Sequence, residues 1–140
     1  MKKVVHTLLV CASVVIGSTL ATVGTASAAV TVPFQVDPAP FGNPNGSFDV
    51  PAGRCVAVVG EQPGTVTITG GKEGRWGCLL SSDVHWLNLS TGASGSARMW
   101  DGLYGFPSEA TLVSGSGRIV GTIVSNLEAI TPGFVSLFVP

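Results

Sequence analysis

Asp83-Val-His-Trp-Leu-Asn-Leu-Ser-Thr-Gly-Ala-Ser-Gly-Ser-Ala-Arg-Met-Trp-Asp101 decides the fold. Val84, Trp86 and Leu87 put bulk on one arm, and Ala97, Met99 and Trp100 on the other. Between the arms, Ser90 to Gly95 holds the serine, threonine and glycine that a chain reversal favours. The stretch reads as a β-hairpin, and it contains His85 and two of the three tryptophans.

Working outward, the neighbouring segments repeat the pattern. Thr65 to Thr69 is TVTIT, with Val66 and Ile68 facing one way and three threonines the other. Cys55 to Val59 (CVAVV) precedes it across a Gly60–Gly64 turn, which makes a second hairpin. Val30 to Val36 alternates, with Pro33 marking an edge strand. Phe48 to Val50 reads as a short strand, and Asp37 to Ser47, dense in Pro, Gly and Asn, as a loop. On the C-terminal side, Glu109–Val113, Arg118–Ser125 and Phe134–Val139 are strands, and Ser114–Gly117 is a tight turn. Gly121 within RIVGTIVS predicts a bulge or a close approach by another backbone. No window holds helical periodicity with caps. Short strands at regular spacing, separated by Gly/Pro turns, predict an all-β sandwich or barrel.

The N-terminus reads separately. Met1-Lys2-Lys3, an apolar stretch from Val4 to about Leu20, and Ala26-Ser27-Ala28 follow the order of a secretory signal peptide cleaved after Ala28. The expected division is 1–28 as signal and 29–140 as a single domain, exported and with no membrane span in the mature chain. Removing Lys2 and Lys3 from the seven basic residues leaves Arg54, Lys72, Arg75, Arg98 and Arg118 against eight acidic ones. That sparse, mildly acidic surface argues against nucleic acid and anionic lipid as partners. Cys55 and Cys78 remain as an even pair in an oxidising compartment, which predicts a disulfide. Closing a loop of that length is worth roughly 3 kcal/mol in the chain-entropy picture.

Three stretches resemble the hairpins and strands of small secreted bacterial immunoglobulin-like β-sandwich proteins: Val84 to Ala97 (VHWLNLSTGASGSA), Ser114 to Val124 (SGSGRIVGTIV) and the terminal PGFVSLFVP. The likeness covers the C-terminal half. It implies an Ig-like antiparallel β-sandwich of about seven to nine short strands, and export; it implies no chemistry. In antibody-type domains a tryptophan lies between the two inter-sheet cysteines, whereas Trp86 follows both Cys55 and Cys78. The expected disulfide therefore need not be the inter-sheet one.

Three functional readings follow. The leading one is a secreted, non-catalytic binding module for an extracellular protein or glycan, without a cofactor. Trp76 with Arg75 in GKEGRWG, and Trp100, Asp101, Tyr104 and Phe106 in WDGLYGFP, lie on glycine-rich loops without core periodicity, which suits exposed contact residues. The alternative is a small hydrolase. Asp83 and His85 share one face of a strand, and Ser81 or Ser82 would serve as nucleophile. The same Asp83/His85 pair offers two ligands where a closed zinc site takes four, so no metal site is expected. A purely structural, envelope-associated protein is the third possibility.

Overall fold

The computed structural model describes residues 28–47, 52–79, 81–99, 104–125 and 130–140. The predicted signal peptide before Ala28 and the predicted strand at Phe48–Val50 lie outside them. The strands are β1 (Val30–Pro33), β2 (Ala39–Pro40), β3 (Cys55–Val59), β4 (Thr65–Gly70), β5 (Ser82–Asn88), β6 (Ser94–Arg98), β7 (Ala110–Val113), β8 (Gly117–Ser125), β9 (Ile130–Thr131) and β10 (Gly133–Val139). A single turn of 3-10 helix, Glu73–Arg75, interrupts them.

Two four-stranded antiparallel sheets form, in the orders β1-β3-β4-β7 and β10-β8-β5-β6, with β2-β9 as a separate two-stranded ribbon. The side-chain period of two sends Ala57, Val59, Val66, Ile68, Ala110 and Leu112 inward from the first sheet. Val84, Ile119, Ile123, Val135, Leu137 and Val139 meet them from the second, in one buried cluster. The protein is an all-β sandwich. The hairpin read from Asp83 to Asp101 is β5–β6, in which Trp86 faces inward and packs against the core, half-buried.

Cys55 and Cys78 form the predicted disulfide, with Cα atoms 4.7 Å apart. Cys55 opens β3 opposite Gly70, the last residue of β4. The bridge therefore fastens the loop after β4 to the base of the β3–β4 hairpin.

The N-terminal strand differs from its expected span. Val30–Pro33 pairs with β3, but Val36 bridges to Phe134 of the opposite sheet. The first ladder runs one residue past Pro33, with Phe34 N donating to Cys55 O at 3.2 Å, and the chain then crosses to the other sheet at Gln35–Val36, whose N–H groups both donate to Phe134 O. The strict alternation accordingly fails at Val36, which is exposed. Gly121 sits in an uninterrupted register, with no bulge. A Cβ there would stand 3.2 Å from Val135 Cγ1, so the close approach is a side chain from the neighbouring strand.

Candidate functional site

The two ends of the sandwich are built differently. One end has three short turns and the C-terminus. The Gly115 N–H donates to Gly64 O at 2.9 Å, joining the β7–β8 turn to the β3–β4 turn, and Ser116 Oγ donates to Pro140 O at 2.8 Å. Among the described residues, the longer connections gather at the opposite end: residues 34–47, 52–54, 71–79 and 104–109, with the β9 segment.

Hydrogen bonds tie these long loops to one another. Thr69, at the end of β4, donates through Oγ1 towards Arg75 O and Ser108 O, and Ser108 Oγ donates to Leu79 O. Asp37 accepts the Cys55 N–H at 3.2 Å and pairs with Arg54 at 3.4 Å. Arg54 N in turn donates to Gly77 O at 2.8 Å. The glycine-rich loop and the aromatic segment, 30 residues apart in sequence, thus lie side by side.

Trp76, Tyr104 and Phe106 are brought to this end and are 43%, 94% and 66% exposed. Trp100 and Asp101 fall outside the described residues. Arg75 is at the same end but is already engaged. Its guanidinium pairs with Glu61, from the turn before β4, and lies 3.9 Å from Glu109, at the start of β7. Since its carbonyl sits by Thr69 at the other end of β4, the Arg75 side chain runs back along that strand. Arg75 and Tyr104 both adopt left-handed backbone conformations, φ +67° and +59°.

One exposed aromatic of the long loops was missed. Phe41 follows β2, is 66% exposed with φ +52°, and belongs to the same end. Its signal was available: PAPFGNPNG sets an aromatic among Pro and Gly, as WDGLYGFP does. The partners of Arg75 were not visible, because Glu61 and Glu109 are remote in sequence.

Asp83 and His85 lie on the outer face of β5, and Asp83 pairs with Arg98 across the hairpin at 3.4 Å. Ser82 is fully buried on the opposite face of the strand. The histidine and that serine therefore point to different sides of the sheet. Among the described residues no three His, Cys, Asp or Glu side chains cluster as a metal site would need, and no helix is long and apolar enough to cross a membrane.

Comparison of the chain with protein-family models, curated proteins and solved structures finds no match.

Proposed function

We propose that the protein is a secreted, non-catalytic binding module whose contact surface is the long-loop end. The observation that supports this most directly is the placement of exposed aromatics. Of the exposed aromatics among the described residues, Phe41, Trp76, Tyr104 and Phe106 stand at that end, and Phe134 and Phe138 lie on the outer face of β10. Large aromatic rings left in water are the kind of side chain that dominates contact energies. The immunoglobulin-like reading is supported by strand order. β3, β4 and β7 correspond to strands A, B and E, and β5, β6, β8 and β10 to C, C′, F and G, with β1 added outside A. In that scheme the loops that bind also cluster at one end of the sandwich.

The test uses the mature domain and isolated cell-wall fragments, soluble glycans and secreted proteins as probes. Trp76→Ala or the pair Tyr104→Ala/Phe106→Ala should abolish binding, and His85→Ala should leave it unchanged. Binding insensitive to every loop-end substitution, or turnover of a hydrolysable probe that His85→Ala removes, would overturn the reading.

A further inference from the structure

We propose that Trp76 is a fixed stacking platform for an uncharged sugar ring, so that the ligand of the long-loop end is a neutral glycan. The proposal rests on the reading of that end as the contact surface and adds the ligand's chemistry.

The first support is rigidity. The loop that carries Trp76 is closed on itself: Lys72 N donates to Trp76 O at 3.1 Å, and Arg75 N to Lys72 O at 2.9 Å. Its two flanks are held by Arg54, whose carbonyl accepts from Gly71 N and whose N–H donates to Gly77 O, and Cys78 is locked in the disulfide. Beneath it, Gly70 is so close that a Cβ there would overlap the Trp76 carbonyl and the Arg75 oxygen. The indole itself lies by Gly74, where a Cβ would stand 3.2 Å from its Cδ1 and 3.4 Å from its Nε1. Gly74 has φ +68°, so the position that lets the ring settle also favours glycine. An indole placed this way has little freedom left to lose when a ligand arrives.

The second support is the ring's surroundings. Glycines 70, 71, 74 and 77 flank it in sequence, and the ring is 43% exposed. A pyranose suits a ring exposed in this way. Its C–H face meets the electron-rich face of the indole, while its hydroxyls stay at the edge, in water.

The third support is charge. The guanidinium groups at this end are already matched, Arg54 by Asp37 and Arg75 by Glu61 and Glu109. Lys72 and Glu73 are adjacent and of opposite sign. Arg98 faces Asp83 as well, so among the described residues each arginine at this end has a carboxylate partner, which favours a neutral ligand over an anionic one.

The experiment is affinity electrophoresis and titration calorimetry of the mature domain against soluble neutral polysaccharides, with an acidic polysaccharide and zwitterionic lipid vesicles as comparison probes. At least one neutral polysaccharide should bind, and raising the salt concentration should not weaken it. Trp76→Ala should reduce affinity by at least about tenfold, while Trp76→Phe, which keeps a ring face and controls for folding, should retain most of it. Binding only to the acidic polysaccharide or to vesicles, or neutral-glycan binding unmoved by Trp76→Ala, would overturn the proposal. If a protein partner binds and is lost with Tyr104→Ala/Phe106→Ala but not with Trp76→Ala, the contact surface stands and the sugar platform falls. If no loop-end substitution alters any binding, both fall.

Discussion

The Asn88 side-chain amide donates to Ser114 O at 2.9 Å and to Ser116 O at 3.0 Å, joining the β5–β6 turn to the β7–β8 turn. Its Oδ1 accepts from the backbone N–H groups of Ser90 and Thr91, and the residue is completely buried. One side chain thus organises the short-turn end, and its amide protons are committed to backbone carbonyls. Asn88 is therefore a structural element of this end. Asn88→Ala should destabilise the domain by about 3 kcal/mol, because several buried backbone groups lose partners at once. Asn88→Asp should not rescue it, since it replaces two donors with a buried charge facing carbonyl oxygens. Urea midpoints of the three proteins check this. A change within about 0.5 kcal/mol, as at an ordinary surface site, would refute it.

Arg75 sets two effects against each other. Its ion pairs with Glu61 and Glu109 are partly exposed, in the range worth up to about 1 kcal/mol. Its left-handed backbone costs about 1–2 kcal/mol in a residue with a Cβ. Arg75→Ala loses the pairs and keeps the strain, so it should lower stability, with a loss that shrinks at high salt. Arg75→Gly loses the pairs and relieves the strain, so its stability should be close to that of the native protein. Thermal midpoints at low and high salt separate the two; a glycine variant as unstable as the alanine one would contradict the account.

How much of this was legible follows from what each segment depends on. TVTIT could be read as a strand because Val66 and Ile68 face the shared core, but its threonine face is not the open one the alternation predicts: Thr67 and Thr69 are buried as well. The β5–β6 and β7–β8 turns could be read because glycine and serine mark reversals chemically. The β2–β9 ribbon could not. Two-residue strands have no period, and Ala39-Pro40 meets Ile130-Thr131 only because the rest of the fold delivers them there. The candidate site divides in the same way. Aromatics on glycine-rich loops were visible as residues out of place, but the neutralisation of Arg75 depends on carboxylates set by sheet order, which no local pattern encodes.

Two glycines with positive or crowded surroundings should respond very differently to a methyl group. At Gly92, φ is +78° and nothing lies within 4 Å of an added Cβ, so Gly92→Ala should cost only the backbone strain, about 1 kcal/mol. At Gly70 an added Cβ would overlap the backbone of Arg75 and Trp76, which cannot rotate away as a side chain would. Gly70→Ala should therefore cost at least about 3 kcal/mol or displace the loop. Denaturation curves give the costs, and iodide quenching of tryptophan fluorescence reports whether the loop moved. Equal effects at the two sites would show that the loop does not rest on Gly70 in solution.

The last prediction concerns the open side of the sandwich, where the edge strands β1 and β10 meet. β10 is long and apolar, with Phe134 and Phe138 exposed on its outer face. Such an edge invites pairing with another chain. Its outward N–H groups are partly occupied: Phe134 exchanges hydrogen bonds with Val36, and Ser136 N donates to Gln35 Oε1 at 2.6 Å. Gln35 Nε2 donates in turn to Pro33 O at 3.1 Å, so one amide side chain caps both edges. Gln35→Ala removes a donor and an acceptor at an exposed site and should lower stability by only about 1 kcal/mol. Its larger effect should be on association, because it opens β1 and β10 together. Gln35→Glu should be intermediate, since it keeps the acceptor for Ser136 and loses the donor to Pro33. Light scattering across a concentration series should show the alanine variant associating where the native domain remains monodisperse. An alanine variant that loses stability without associating would mean that Gln35 braces the edge but does not guard it.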